Sequence, residues 1–305
     1  MKVAITGSSG FIGCALVDAL RADGHDVVRF VRRPPAASDE ATWDPAAGTV
    51  DRTAIEGAEA VVHLAGEGLG EKRWSDQQKK RILDSRVQGT TAIARAVADV
   101  TTANGGTGPV LVSGSAVGYY GLRGDEVLTE KSSAGDGFLA HVVREWEAAA
   151  APAAEAGARL VLLRTGIVLG RSRAGAGALS RMLPLFKLGL GGKLGSGRQW
   201  WSWVSLADEI GIVRHAIASD AVEGPINATA PNPATNADVA KALGKALHRP
   251  AVLPVPAFAL GIVMGRELTR EVALAGQRVL PAVAERTGYS FRHPTLDEGL
   301  AAVVA

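Results

Sequence analysis

The sequence has only one cysteine, Cys14, among its 305 residues. A single thiol cannot build a disulfide framework, so we expect a reducing, cytoplasmic environment and a small buried side chain at this position. The chain also lacks any run of about 18 apolar residues, and its first strand-like segment begins at Val3, which leaves no room for a signal peptide. The sequence therefore predicts no membrane span, and we expect no membrane partner.

Two further features are missing. The chain has no block of basic residues, and 33 Lys and Arg against 31 Asp and Glu give a formal net charge of +2. Nucleic acid is therefore not an expected partner. No spacing of His, Cys, Asp and Glu is typical of a metal site, so we expect none. The composition, 47% hydrophobic and 21% charged, is that of an ordinary globular protein, and a small molecule is the expected partner.

The chain does have a glycine motif at its start. Gly7, Gly10 and Gly13 follow an apolar run at 3–5 and open into a helix-like run at 11–20. A strand, a tight glycine turn and a helix N-terminus together form the phosphate cradle of dinucleotide-binding folds. Gly7 permits the turn, Gly10 lets the pyrophosphate approach the backbone, and Gly13 lets the helix pack against the strand. The motif predicts a dinucleotide cofactor.

The end of the second strand refines this prediction. The strand at 26–31 is followed by Arg32 and Arg33, and no carboxylate comes until Asp39. An acidic residue at this place binds the ribose 2′-hydroxyl of NAD, whereas an arginine accommodates the 2′-phosphate of NADP. We therefore predict NADP(H) as the cofactor, with two solvated surface arginines as the alternative.

Strand-like and helix-like patterns alternate through the first half of the chain. Apolar runs at 60–66, 109–113 and 159–163 are separated by helical patterns, one of which spans 138–155 and another of which starts at Ser75. The spacing Ser-x-x-Gln from Ser75 predicts a capping box there. This alternation predicts an α/β fold with a Rossmann-type doubly wound parallel sheet and ligands at the carboxyl ends of its strands.

The second half of the chain does not continue this alternation of strand-like and helix-like patterns. Residues 170–197 are rich in Gly, Arg and Lys, and helical patterns dominate after 207. We expect a dinucleotide-binding domain over 1–169, joined in the sheet by a strand near 225–228. A smaller C-terminal substrate lobe is expected over 170–305.

Together these segments resemble the extended short-chain dehydrogenase/reductases, the group of sugar-nucleotide epimerases and dehydratases. The matching segments are 6–13, 61–66, 113–121, 164–170 and 195–208. The resemblance implies that 61–66 lies on the adenosine side of the cofactor, that 113–121 carries a catalytic Ser or Thr, and that 164–170 lies beside the nicotinamide. More narrowly, the chain is similar to an epimerase-like branch with a C-terminal domain of unknown function, through residues 115–121, 146–149, 200–208, 276–281 and 288–294.

The sequence departs from this group at its usual catalytic pair, Tyr-x-x-x-Lys. The corresponding helix, 137–147, contains no tyrosine and no lysine. The pair would fall near Ala140 and Arg144, or near Leu139 and Val143. Arg144 could keep the charge that binds the ribose, but an arginine stays protonated and cannot shuttle protons. The cofactor prediction therefore stands, and the group's standard mechanism does not.

Other hydroxyl groups are candidates for the missing acid. We predict Ser115 and Tyr119 as catalytic, because a serine at a strand's carboxyl end and a phenol after it could polarise a carbonyl. Tyr120 is an alternative to Tyr119, and a turn-forming serine and a packed tyrosine are the purely structural alternatives. His141 is a further candidate base, while His63, within an apolar strand, is more often a core histidine.

The predicted cofactor-binding residues lie in the glycine turn, after the second strand, around the end of the 60–66 run and beside the nicotinamide. In the epimerase-like branch the position of Arg86 lines the cofactor pocket, while a solvated helix face is the alternative for Arg86 and Arg81. The full set is Gly7, Ser9, Gly10, Phe11, Ile12, Gly13, Arg32, Arg33, Leu64, Ala65, Gly66, Glu67, Arg81, Arg86, Ser113, Arg164 and Ile167.

The predicted function is an NADP(H)-binding oxidoreductase or epimerase-like enzyme for an unidentified carbonyl or sugar-nucleotide-like substrate. The alternative is an NADP(H)-sensing binding protein without turnover, which the absent Tyr and Lys favour. The substrate pocket would be built from loops at 170–203, whose sequence does not identify a substrate. The chain is expected to be a monomer or a homodimer.

Overall fold

The computed structural model describes residues 1–70, 72–171 and 177–304 of the chain. The strands are β1 (Lys2–Thr6), β2 (Asp26–Val31), β3 (Glu40–Asp44), β4 (Thr49–Val50), β5 (Ala60–His63), β6 (Val110–Ala116), β7 (Val127–Leu128), β8 (Leu160–Thr165), β9 (Ile167–Leu169), β10 (Trp200–Trp201), β11 (Trp203–Ser205), β12 (Gly224–Ala228), β13 (Ala234–Thr235) and β14 (Arg278–Val279). The α-helices are α1 (Phe11–Ala22), α2 (Asp76–Ala103), α3 (Phe138–Ala148), α4 (Ala151–Glu155), α5 (Ala178–Lys187), α6 (Leu206–Ala218), α7 (Asn236–Ala246), α8 (Ala257–Met264), α9 (Arg266–Leu268), α10 (Ala282–Arg286) and α11 (Leu296–Val304). Short 3-10 helices lie at Arg52–Ala54 and Val117–Tyr120, and a π-helical turn lies at Thr269–Ala273.

Eight of the strands form one sheet in the order β12-β8-β6-β5-β1-β2-β3-β4. Neighbouring strands from β12 to β3 are parallel, and β4 is antiparallel to β3. Parallel neighbours need crossover connections, which the helices between them supply. The predicted α/β fold with a Rossmann-type, doubly wound parallel sheet is confirmed.

The chain reverses its direction across this sheet at β1. It runs outward from β1 through β2 and β3, and then returns to β5 on the other side of β1. Ligands of open α/β sheets bind in the crevice at the carboxyl ends of the strands on either side of such a reversal. The segments that leave β1 and β5 there are the glycine turn and the loop that begins at Leu64.

Side chains of the central strands alternate between the two faces of the sheet, as the pleat requires. Val3 and Ile5 pack with α1 and α6, whereas Ala4 packs with α2 and α4, and all three are fully buried. Burial on both faces explains why these strands read as continuous apolar runs rather than as alternating patterns.

Short strand pairs organise the second half of the chain. β9 pairs with β11, β10 with β13, and β7 with β14. The buried carboxylate of Asp208, in the first turn of α6, accepts hydrogen bonds from the backbone N–H groups of Arg292 and His293 at 2.6 and 3.0 Å. The hydroxyl of Tyr289 donates a third bond at 3.0 Å. These bonds tie the segment at 289–293 to α6.

Two local expectations were wrong. The helical pattern at 138–155 is two helices, because Pro152 lacks an N–H and its ring excludes a continuous helix through the preceding turn. Cys14 is exposed, not buried. The apolar stripe of α1 runs through Leu16, Val17 and Leu20, and Cys14 lies off that stripe.

Candidate cofactor and active site

The glycine turn between β1 and α1 leaves an open space above its middle residue. Gly7 has a φ of +69°, and a Cβ on it would lie 2.7 Å from the carbonyl carbon of Leu64. A Cβ on Gly13 would lie 2.1 Å from the carbonyl oxygen of Gly7, so both positions require glycine. A Cβ on Gly10 would meet only that same oxygen, at 3.2 Å. The described residues therefore close tightly around Gly7 and Gly13 but leave more room at Gly10.

Gly10 is also the N-cap of α1 and supplies no side-chain oxygen to the helix. The first N–H groups of a helix lack intrahelical partners and carry a partial positive charge. Ser9 is exposed beside this end, and Phe11 and Ile12 are half-buried. The open, uncapped helix end fits a phosphate group.

The two arginines after β2 differ in their surroundings. Arg33 donates two hydrogen bonds to the carboxylate of Glu40, at 2.8 and 2.6 Å, and these lower the pKa of Glu40 to about 2. Arg32 is exposed and makes no hydrogen bond or ion pair with any residue that the structure describes. A cavity of about 590 Å³ adjoins both arginines and extends to Trp43. Arg32 is therefore the cation that remains available to a phosphate.

The loop after β5 lies against the glycine turn and against α2. The N–H of Leu64 donates to the carbonyl of Thr6 at 3.3 Å, Ala65 is half-buried, and Gly66 is exposed. The N–H of Glu67 donates to Ser85 Oγ at 3.1 Å, and Arg86 Nη1 donates to the carbonyl of Glu67 at 3.0 Å. These contacts bring the predicted residues Leu64, Ala65, Gly66 and Glu67 together with Arg86.

Arg86 is a half-buried cation next to this loop. Its guanidinium lies 4.9 Å from the ring centre of Trp146, and it forms no ion pair with a carboxylate of the described residues. Burial lowers the pKa of Arg86 to about 10, so it remains charged at neutral pH. Arg81 instead lies on the exposed face of α2. The structure thus separates the two arginines that the sequence placed in one pocket.

Ser75 caps α2, but the predicted capping box is incomplete. Ser75 Oγ accepts a hydrogen bond from the N–H of Gln78 at 3.2 Å. The Gln78 side chain does not return to Ser75, and its Nε2 donates to Glu67 Oε1 at 3.2 Å. The cap therefore links the start of α2 to the loop after β5.

At the carboxyl ends of β6 and β8, the polar groups are paired with one another. The Ser115 hydroxyl donates to Glu147 Oε1 at 2.6 Å. Arg164 forms a bidentate pair with the same carboxylate, with Nε–Oε1 and Nη2–Oε2 distances of 2.8 Å. Burial alone would lower the pKa of Arg164, but its bonds to Glu147 outweigh burial and raise the pKa above its ordinary value. Ser115 and Arg164 therefore face Glu147 rather than an open cleft.

The two tyrosines after β6 have different roles in this assembly. The Tyr120 ring is fully buried, and its hydroxyl donates to Asn227 Oδ1 at 2.7 Å and accepts from Arg164 Nη1 at 3.1 Å. Burial raises the pKa of Tyr120. Tyr119 is half-buried under the Arg164 guanidinium, 3.5 Å from its ring centre. Its hydroxyl has no hydrogen-bond partner among residues 1–70, 72–171 and 177–304, so it is the free phenol of the pair.

The helix that lacks the usual Tyr and Lys offers little in their place. Ala140 is buried, and His141 is exposed, with Glu145 as its nearest carboxylate at 3.9 Å. Arg144 is exposed as well, and its Nη1 donates to the carbonyl of Gly135 at 3.0 Å. The charge that was expected to bind the ribose therefore lies on the outer side of α3.

His63, for which a core role is favoured, lies with two predicted residues, Ser113 and Ile167, in the strands β5, β6 and β9. His63 is fully buried, its Nδ1 lies 2.7 Å from Thr6 Oγ1, and burial lowers its pKa to about 4, as suits a neutral core histidine. Ser113, paired with His63 in the sheet register, is buried and its hydroxyl has no partner among the described residues. Ile167 is half-buried in β9.

Sequence reasoning missed two carboxylates of this region. Glu147 pairs with Arg164, which is 17 positions away in the sequence, so no local pattern indicates the pair. Glu209 in α6 is fully buried beside Thr165, whose Oγ1 lies 2.8 Å from Glu209 Oε1. Burial raises the pKa of Glu209 to about 8. The sequence signal for Glu209, an acid within an otherwise apolar helix face, was present but unused.

The described residues contain no group of three or more His, Cys, Asp and Glu side chains placed to hold a metal ion. Within the same residues, no helix combines the length and the apolar composition needed to cross a bilayer. The loops at 170–203, expected to build the substrate pocket, lie partly outside the described residues.

Comparisons with known proteins identify two families that the chain matches. A family model described as the NAD dependent epimerase/dehydratase family matches residues 3–228, and one described as a domain of unknown function, DUF1731, matches residues 255–303. An epimerase family protein of Mycobacterium bovis is 48% identical over 298 residues, which cover 98% of this chain and 96% of that protein.

Two solved structures are similar over the whole chain. The crystal structure of the human epimerase family protein SDR39U1, determined with NADPH, has 36% identity and a TM-score of 0.89, and the match covers 100% of this chain and 99% of that one. A nucleoside-diphosphate sugar epimerase from Corynebacterium glutamicum has 39% identity and a TM-score of 0.78, with 100% of this chain and 58% of that chain covered.

Proposed function

The chain belongs to the NAD dependent epimerase/dehydratase family, and from this premise we propose that it is an NADP(H)-dependent oxidoreductase or epimerase-like enzyme. Its substrate would be a small carbonyl compound or a sugar-nucleotide-like molecule. The predicted resemblance to the extended short-chain dehydrogenase/reductases is confirmed by the family match and by the relatives.

The observation that carries this proposal is the nucleotide end of the crevice, where the start of α1 is open and Arg32 has no partner among the described residues. The space above Gly10 fits a pyrophosphate, since a Cβ there would approach, among the described residues, only the Gly7 carbonyl oxygen, at 3.2 Å. Arg32 would bind the 2′-phosphate, because the guanidinium of Arg33 already donates two hydrogen bonds to Glu40. Arg86 and the loop at 64–67 would contact the remainder of the nucleotide. The presence of NADPH in the human relative's structure supports the same choice.

When bound, the nicotinamide would supply or accept a hydride at its C4 carbon. A carbonyl oxygen that gains negative charge needs a proton donor or a hydrogen-bond donor. The free Tyr119 hydroxyl suits this role, whereas the Ser115 hydroxyl already donates a hydrogen bond to Glu147 at 2.6 Å. We therefore assign the acid to Tyr119. Ser115, Glu147 and Arg164 would be positioning residues, since the Arg164 guanidinium lies 3.5 Å from the Tyr119 ring centre.

The experiment is an absorbance assay of reduced cofactor against a panel of aldehydes, ketones and sugar nucleotides. For any substrate that is turned over, Tyr119→Phe should lower kcat by about two to three decades, the usual cost of removing one acid or oxyanion donor. The dissociation constant for NADPH should not change. His141→Ala is the matched control, because that exposed imidazole should leave kcat unaltered. A normal kcat in Tyr119→Phe with a crippled His141→Ala would reverse the assignment.

The second candidate is an NADP(H)-sensing binding protein without turnover. It is favoured by one observation, that Ser115, Glu147, Arg164 and Tyr120 satisfy one another without a substrate. This candidate would be supported by tightly retained NADP(H) with no absorbance change across the whole panel.

We also propose a cytoplasmic location and a monomeric or homodimeric state. The exposed thiol of Cys14 fits a reducing compartment. Light scattering on the purified protein would decide between monomer and dimer.

A further inference from the structure

Helix α8 is an apolar element with no buried residue. Its sequence is Ala-Phe-Ala-Leu-Gly-Ile-Val-Met, and none of the eight residues is buried. Phe258, Ile262 and Val263 are 72%, 67% and 72% exposed. A helix that packs into a domain normally buries one stripe of such residues. The apolar face of α8 is therefore not covered by the residues that the structure describes.

A second apolar segment adjoins α8 and enlarges this surface. The end of α5 and the turn after it expose Leu185, Leu188 and Leu190, and the strand-like approach to α8 exposes Val252 and Leu253. The two segments lie side by side, because the backbone at 253 and 255 donates to the carbonyls at 191 and 193, at 3.2 and 2.9 Å. We call these five residues together with α8 the apolar shelf. Exposed apolar patches of this kind mark binding surfaces.

The charged residues within the two segments that form the apolar shelf are all basic. Segments 185–195 and 249–266 contain Lys187, Lys193, Arg249 and Arg266 but no Asp or Glu. All four basic residues are exposed. Exposed Arg73 joins them at the end of α8, where its guanidinium donates to the carbonyls of residues 262 and 263.

Glu267 and Glu271, the carboxylates that follow α8, do not balance these charges, because each lies beside another basic residue, with Arg270 at 3.4 Å from Glu271. Glu267 forms an ion pair with Lys79 at 3.1 Å. Glu271 is directed at the start of α3, where it accepts the N–H groups of Phe138 and Leu139 at 3.1 and 2.9 Å. The rim of the apolar shelf therefore carries a net positive charge.

We propose that the apolar shelf docks the protein on an anionic lipid bilayer. Apolar side chains flanked by Lys and Arg enter the boundary between headgroups and acyl chains and attract anionic lipids. A second copy fits less well, since a two-fold interface would bring the same basic rims together. This proposal goes beyond the proposed function and does not depend on it. It replaces the sequence-based expectation of no membrane partner, which considered only spanning helices.

The test is co-sedimentation of the full chain with phosphatidylcholine vesicles, with and without phosphatidylglycerol. We expect binding to the mixed vesicles and little to pure phosphatidylcholine. Phe258→Asp should weaken binding by about tenfold or more, because it withdraws one large apolar side chain from the bilayer. Lys187→Gln and Arg249→Gln should each weaken it by about fivefold, the contribution of one basic residue near an anionic surface.

Val127→Asp is the matched control, since Val127 is an apolar residue, 46% exposed, that lies outside the apolar shelf. It should bind the mixed vesicles like the parent, and all variants should keep the parent's unfolding temperature because the changed side chains are exposed. The proposal is overturned if the parent does not sediment with the mixed vesicles, if it binds both vesicle types equally, or if Val127→Asp loses as much binding as Phe258→Asp. A concentration-dependent dimer that Phe258→Asp dissociates, without vesicle binding, would assign the surface to a second copy instead.

Discussion

The crevice at the carboxyl ends of the strands has a nucleotide end, around Gly10 and Arg32, and a reacting end, around Ser115 and Glu147. The two ends differ in how their polar groups are satisfied. At the nucleotide end, Arg32 makes no hydrogen bond or ion pair with any described residue, and the helix N-terminus at Gly10 is uncapped. At the reacting end, Glu147 accepts three hydrogen bonds, one from Ser115 and two from Arg164. A polar group without a partner near a cavity signals a missing ligand, while a closed set of hydrogen bonds signals structure. The difference teaches that cofactor binding is built into this chain more firmly than its catalytic chemistry.

The largest effects should come from the glycine turn, and they should separate binding from stability. Gly10→Val should abolish NADPH binding with the fold largely intact, because Gly10 has φ −76° and ψ 174°, which any residue adopts, and the Gly7 carbonyl oxygen, 3.2 Å from the new Cβ, needs to shift only slightly. Gly13→Ala should instead unfold or strongly destabilise the protein, since its Cβ would lie 2.1 Å from a backbone oxygen. Calorimetric titration and thermal unfolding measure the two effects. A folded Gly10→Val protein with the parent's NADPH affinity would contradict the cradle.

At the reacting end, the expected effect is on stability. Glu147→Ala should lower the free energy of unfolding by about 3–5 kcal/mol, because it leaves the buried Arg164 guanidinium without its partner. Glu145→Ala, two residues away on the exposed face of α3, is the control and should change it by less than about 0.5 kcal/mol. Urea unfolding compares them. Equal stability of the two variants would show that the network does not support the fold.

On the opposite face of β8, Glu209 should make stability depend on pH. Its folded-state pKa of about 8 lies above the ordinary value of 4.5, so its contribution is complete below pH 4.5 and is lost as pH rises toward 8. Between pH 5 and pH 8 this should cost about 3 kcal/mol. Glu209→Gln stays neutral and should be more stable than the parent at pH 8. Urea unfolding at several pH values tests this, and parallel pH profiles for the two proteins would contradict it.

The glycine turn between β1 and α1 and the place of Arg32 after β2 could be predicted from the sequence, because both features are local. One turn of consecutive residues and one strand end encode Gly7, Gly10, Gly13 and Arg32, and the order of residues directly specifies the backbone they need. The outward position of Cys14 was also readable from the spacing of Leu16, Val17 and Leu20, although it was predicted wrongly.

The reacting end could not be predicted in the same way, because its partners are distant in sequence. Ser115 and Glu147 are 32 positions apart, and Tyr120 and Asn227 are 107 apart. The register of β6, β8 and β12, together with the packing of α3 against β6, brings them together. The sequence identified Ser115 as a hydroxyl at a strand end, but it did not indicate that Glu147 accepts a hydrogen bond from that hydroxyl.

The central claim is that this chain binds NADP(H) through an unpaired Arg32. The direct measurement is calorimetric titration of the parent, Arg32→Ala and Arg33→Ala with NADPH and NADH. The parent should prefer NADPH by about one to two decades, the value of a charge-assisted contact of about 1.5–3 kcal/mol. Arg32→Ala should lose that preference, and Arg33→Ala should keep most of it because Glu40 already holds the Arg33 side chain. Equal affinity of the parent for both cofactors, or a preference that survives in Arg32→Ala, would contradict the account.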